Sequence, residues 1–211
     1  MPQIRILTWN TQGSPLNSQT KAQALDGFLA NADVVCLQEC GSLADLTQYQ
    51  GAGKTWRVYG RQAAGAGNRR CSTAILAPGW HNAGDAADMS TGRAGVWIQM
   101  NNLFVSTIHC TADGKSFDSS QLMKQMTSIA GGSNPIIIGG DFNCVPTGDT
   151  RNVGTSSRQK LFNIYRQGQP THPRSNKELD YFLGMNLKSG QVTRGPQGGS
   201  DHHAVGAVFE F

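Results

Sequence analysis

Residues 136–143 read Ile-Ile-Ile-Gly-Gly-Asp-Phe-Asn, and no other stretch restricts the fold as much. A short apolar run predicts a buried strand. It ends in two glycines and then presents Asp141 and Asn143. Side chains two residues apart on an extended backbone share a face. A carboxylate and a carboxamide therefore project together from a rigid strand end, and the glycines leave room for a group to approach the backbone. Oxygen donors held in this way suit a hard metal ion carrying a phosphate. The plainer alternative is a strand followed by an Asp/Asn turn.

Three further segments repeat the pattern. Ile4–Asn10 is a strand that ends in Asn10. Asp33–Glu39 is a strand that ends in Gln38 and Glu39. Gly199–Val205 carries Asp201, His202 and His203 into a final strand. Each sets an oxygen or imidazole group where an apolar strand meets a loop, which is where sites are built on rigid sheets.

The blocks TWNTQG, LQE, STIHC, GGDFN, ELDYF and SDHH resemble the endonuclease/exonuclease/phosphatase superfamily, the group of deoxyribonuclease I. They stand in that family's order and span nearly the whole chain. Within the superfamily, TWNTQGS, QECGSL and RSNKELDY are similar to the catalytic B subunit of cytolethal distending toxins. The resemblance implies an α+β fold, a four-layer α/β/β/α sandwich of two mixed sheets with helices outside, as one nuclease domain over residues 1–211. It implies a magnesium-dependent phosphodiesterase (manganese or calcium being alternatives), in the toxin type a DNA endonuclease that nicks with little sequence preference. A phosphoinositide phosphatase on the same fold is the alternative. A catalytically weak nucleic-acid-binding protein is the third reading.

The resemblance also assigns roles. Glu39, Asn10 and Asp201 belong to the metal side. His202 contacts the scissile phosphate and Asp180 is its carboxylate partner. Asp141 orients or deprotonates the attacking water, and Asn143 hydrogen-bonds a phosphate oxygen. His109 is the second active-site histidine, and Arg93 matches a phosphate-contacting arginine. His203 receives no role. Two departures stand out. The family pairs its second histidine with a glutamate lying between the metal segment and that histidine, yet this chain has no glutamate between Glu39 and Glu178. His109 is thus expected to lack a partner unless Asp85, Asp88 or Asp113 substitutes, which would leave it less readily protonated. Cys40 and Gly41 also replace the arginine that deoxyribonuclease I inserts into the minor groove, which predicts a weaker grip on duplex DNA. Implied partners are DNA and the delivery subunits of a toxin complex, around a monomeric catalytic subunit. The implied location is that of a secreted or delivered effector acting in the nucleus of a host or target cell.

The chain's 211 residues suit one domain with a substantial core. Its net charge of +4 fits a polyanionic partner but also ordinary scatter. No apolar run reaches the length of a membrane span, and no leader is visible at the start. Five cysteines at irregular spacing, with no CxxC pair, argue against structural zinc, though one disulfide would be compatible with export. Nine strands are expected, the last at His203–Phe211, with Asn101-Asn102 as a tight hairpin turn. Helices are expected at Gln19–Ala30, Leu43–Tyr49, Ser119–Ala130 and Ser157–Tyr165, with Asp118 or Ser119 capping the third. Gly60–Arg70, Asn82–Ala94 and Gly148–Ser157 read as basic or glycine-containing loops suited to backbone phosphates.

Overall fold

The structure, a computed structural model, describes residues 2–49, 51, 53, 55–62, 72–87, 94–111, 117–146 and 162–211. In chain order the elements are β1 (Gln3–Asn10), α1 (Gln19–Asn31), β2 (Val34–Gln38), α2 (Leu43–Gln48), β3 (Trp56–Arg61), β4 (Thr73–Pro78), β5 (Asn82–Ala87), β6 (Ala94–Met100), β7 (Leu103–His109), α3 (Phe117–Ile129), β8 (Ile136–Asp141), β9 (Asn163–Tyr165), β10 (Asp180–Met185), β11 (Ser189–Arg194) and β12 (Val205–Glu210). One sheet runs β11-β12-β1-β2-β4-β3 and the other β5-β6-β7-β8-β10-β9.

Alternation along the strands builds the layers. Ile4 and Ile6 of β1, Val34 and Cys36 of β2, Val105 of β7, Ile137 of β8 and Phe182 of β10 meet in the core between the sheets. The neighbouring residues face outward. Leu37, Val35 and Trp9 pack under Leu25, Phe28 and Leu29 of α1 and Leu46 of α2. Ile136, Ile138 and Tyr181 pack under Leu122, Met123 and Met126 of α3. Three cores between four layers confirm the sandwich expected from the sequence.

Several local expectations are corrected. Asn82–Ala87 is an edge strand, although its glycine and aspartate suggested a loop. The C-terminal end of the helix expected over Ser157–Tyr165 is strand β9; residues 157–161 lie outside the described residues. Asp118 and Ser119 fall inside α3, which already begins at Phe117. Ile129 is exposed and leaves the apolar stripe of α3 after Met126. The glycines of β8 accommodate the protein itself: a side chain at Gly139 would meet the Phe182 ring, and one at Gly140 would meet the Ile108 carbonyl. The 101–102 turn does link β6 to β7, with Asn101 in the left-handed region at φ 56°.

Candidate active site

One end of the sandwich gathers the polar residues, and strand register explains why. β1 and β2 run parallel with Asn10 opposite Gln38, so Glu39 is the next residue out. β7 and β8 run parallel with His109 opposite Asp141. β10 is antiparallel to β8 and starts at this end, with Asp180 opposite Asp141. β12 is antiparallel to β1 and starts there too, just after His202. The inner faces that are apolar in mid-strand thus become polar at a single edge. Gln38 closes the apolar layer beneath: buried, it donates to Thr8 Oγ1 at 2.9 Å and to Thr107 Oγ1 at 2.8 Å, bridging the two sheets.

Asp141 is the hub. Its Oδ2 accepts from Asn10 Nδ2 at 2.9 Å and its Oδ1 from the Asn143 backbone at 2.9 Å. The same Oδ2 lies 3.7 Å from His109 Nε2 and 3.9 Å from His202 Nε2. Burial pushes the Asp141 carboxyl well above the usual carboxylate range, and the Asp180 charge adds to the effect; His202, Asn10 and the Asn143 amide oppose it. His202 Nδ1 faces Asp180 Oδ2 at 2.8 Å. Burial pushes this imidazole down, but Asp180, through charge and hydrogen bond, together with Asp141 and Asp201 outweighs it and lifts the group to about 9. A His–Asp pair of this kind fixes the imidazole tautomer and stabilises its protonated form.

His109 differs. Its Nε2 lies 3.7 Å from both Glu39 Oε1 and Asp141 Oδ2. Among the described residues, two site carboxylates thus flank it. Asp85 is committed to Arg61 at 2.9 Å, and Asp88 and Asp113 lie outside the described residues, as does Arg93.

Backbone strain marks the same edge. Gln12, Glu39 and Asn143 adopt left-handed φ values of 47°, 51° and 51°, a conformation that costs energy away from glycine and gathers at functional sites. Asn143 Nδ2 donates one hydrogen to the Cys110 carbonyl at 2.8 Å, which leaves its second. Asn10 Oδ1 accepts from the Gln12 backbone at 3.0 Å and keeps a lone pair.

β12 begins only at Val205, and before it the chain bends at Asp201 and His202. Both reach His172, which lies outside every motif. His172 Nε2 stands 3.8 Å from Asp201 Oδ2, and its ring centre is 4.7 Å from that of His202. Gln12, also unassigned by the sequence, donates through Nε2 to Asp201. His203 Nδ1 contacts the Gly195 carbonyl, a structural role. Cys110 and Cys144 are buried in the α3-side core, where burial raises the Cys144 thiol. Cys36, Cys40, Cys110 and Cys144 form no disulfide among the described residues, and Cys71 lies outside them.

Two tight groups of ligand-type atoms occur among the described residues: Asp141, Asp180 and His202, and His172, Asp201 and His202. Glu39, Asn10 and Asp201 add oxygen donors at the same edge, the donor type that hard dications take. No described helix is long and apolar enough to cross a membrane.

A sequence profile described as the Endonuclease/Exonuclease/phosphatase family matches residues 7–202. Among solved structures, the chain is similar to CdtB, the biologically active subunit of cytolethal distending toxin, at TM-score 0.78 and 19% identity over 97% of this chain and 96% of that one. It is similar to the catalytic domain of human Nocturnin with a bound sulfate anion, at TM-score 0.73 and 19% identity, covering 100% and 95%. It is also similar to a truncated TDP2 from Caenorhabditis elegans, at 0.69 and 16%, covering 99% and 98%. No curated protein matches the chain.

Proposed function

The chain belongs to the endonuclease/exonuclease/phosphatase family, and from that membership we propose a magnesium-dependent phosphodiesterase that nicks DNA with little sequence preference, as a delivered, toxin-type effector. The observation that carries the reading is the Asp180–His202–Asp141 arrangement: a histidine held by one carboxylate at 2.8 Å beside a second, buried carboxylate. The likeness in fold to CdtB, the active subunit of a toxin, is in keeping with a toxin-type effector.

Each residue's part follows from its surroundings. Asp141, with both oxygens hydrogen-bonded and its carboxyl held above the ordinary range, is poised to orient an attacking water and accept its proton. His202, protonated against Asp180, presents Nε2–H to a phosphate oxygen as negative charge grows there. His109 stands across Asp141 and offers a second imidazole to the phosphate or the leaving oxygen. The remaining hydrogen of Asn143 Nδ2 turns to a non-bridging oxygen. Glu39, with Asn10 and Asp201, would hold magnesium. When bound, that ion supplies positive charge to the phosphate. Asn10 does its other work without it, since its amide fixes Asp141.

The test is conversion of supercoiled plasmid to nicked circle in magnesium and in chelator. Nicking in magnesium only, abolished by His202→Ala and by Asp141→Ala, is the expected result. Nicking that survives both substitutions would trace to a contaminant and end the proposal. Phosphate release from phosphoinositides without nicking would move the same site to the phosphatase reading.

A further inference from the structure

His172 sits in a seven-residue loop that is built rather than loose. Thr171 Oγ1 accepts from the backbone of Leu179 at 2.9 Å and of Asp180 at 3.0 Å. The Thr171 carbonyl accepts from the His203 backbone at 2.7 Å. The residue before His172 is therefore pinned both to the carboxylate partner of His202 and to the residue after His202. Across the loop, the His172 backbone donates to the Lys177 carbonyl at 3.0 Å. A 3-10 turn, Pro173–Ser175, follows, and Asn176 closes it at φ 53°.

The side chain has two differently used nitrogens. Nδ1 accepts from the Ser175 backbone at 3.3 Å and lies 2.7 Å from Ser175 Oγ. An accepting Nδ1 puts the ring hydrogen on Nε2. That Nε2–H points toward Asp201, yet at 3.8 Å it is beyond hydrogen-bond range. His202 has the same division of labour: Nδ1 is committed to Asp180, which leaves Nε2. Nitrogens of the two rings and an Asp201 oxygen lie within 4.8 Å of one another. Two N–H donors that close can share one acceptor oxygen at ordinary bond lengths of about 2.8 Å each.

We infer that His172 is a third substrate-contacting histidine, whose Nε2–H donates, beside that of His202, to a phosphoryl oxygen of the substrate. The inference rests on the phosphodiesterase reading for its substrate, but it concerns the binding of the phosphoryl group itself. His172 would act as a fixed donor, so its loss weakens both phosphate binding and turnover. Its ring is about one-fifth exposed, which leaves it reachable from the mouth of the site. The exposed Arg174 and Lys177 on the same loop add positive charge nearby.

Inorganic phosphate is the probe, with affinity measured by calorimetry on the intact chain. His172→Asn keeps an acceptor for the Ser175 backbone, because asparagine caps such turns well, but its amide is too short to take the place of Nε2. His172→Gln keeps a longer donor. The inference predicts about tenfold weaker phosphate binding in His172→Asn at an unchanged melting temperature, partial recovery in His172→Gln, and a matching fall in kcat for plasmid nicking. Phosphate affinity in His172→Asn equal to that of the unaltered chain would overturn it, as would an unaltered chain that binds no phosphate. Phosphate binding that depends on His172 in a chain that fails to nick plasmid would sustain the contact and overturn the nuclease reading instead.

Discussion

His202 and His109 both approach the same Asp141 oxygen, yet the described carboxylates stand at different distances from the two rings. His202 is locked to Asp180 at 2.8 Å and carries a proton to about pH 9. His109 is flanked by Glu39 and Asp141 at 3.7 Å each, too far for a hydrogen bond. Both rings are buried, so burial does not separate them; the distance to the described carboxylates does. A carboxylate at hydrogen-bond length overrides desolvation and fixes the ring, whereas carboxylates nearly an ångström further out supply charge without direction. Asp180 thus fixes the His202 ring directly, while Glu39 and Asp141 act on His109 from a greater distance.

The largest expected effect breaks this comparison outright. His202→Ala should lower nicking about 10³-fold or more, at the upper part of the range for a positioned acid–base group, and His109→Ala about 10²-fold. Equal losses would mean that the difference in holding has no catalytic consequence. Next is Asp180→Asn, which keeps the shape but removes the charge. Activity should fall about 10²-fold, and the NMR titration midpoint of His202 in the metal-free protein should drop from about 9 toward the ordinary value near 6.5. An unmoved midpoint would mean that Asp180 is not what holds the proton.

A smaller effect appears in stability. The His202 imidazole is protonated to about pH 9 in the folded chain but only to about pH 6.5 when unfolded. Its contribution to stability is complete below the lower value and lost as pH rises through the upper one. Thermal melting of the metal-free protein should therefore decline between about pH 6.5 and 9, and the decline should flatten in Asp180→Asn. The smallest effect is expected from Asn10→Ala, which removes the donor to Asp141 Oδ2 and should reduce nicking about tenfold while leaving the His202 midpoint in place.

What was legible in the sequence follows from where each strand lies. β1, β2, β7, β8 and β10 are interior strands with apolar runs, and Asn10, His109, Asp141 and Asp180, which the family resemblance singled out, stand at the ends of those runs. β5, β9 and β11 escaped notice because all three are sheet edges. Asn-Ala-Gly-Asp-Ala-Ala and Ser-Gly-Gln-Val-Thr-Arg bury little, and Asn-Ile-Tyr is only three residues long. Pairing with one neighbour holds them, and no local pattern records that. His172 was missed for a related reason. Its position depends on bonds between Thr171 and Asp180 and between Thr171 and His203, which no local pattern around His172 records. The last strand begins at Val205, not at the expected His203, with the bend at Asp201–His202 before it.

The central claim is that Glu39, Asp141 and His202 surround one dication and one phosphate. A crystal soaked with manganese and inorganic phosphate, with the metal located by anomalous scattering, tests it most directly. The account predicts a peak beside Glu39, with phosphate oxygens reaching both His202 Nε2 and Asn143 Nδ2. A peak held by His172, Asp201 and His202 with Glu39 bare, or phosphate bound away from His202, would contradict it.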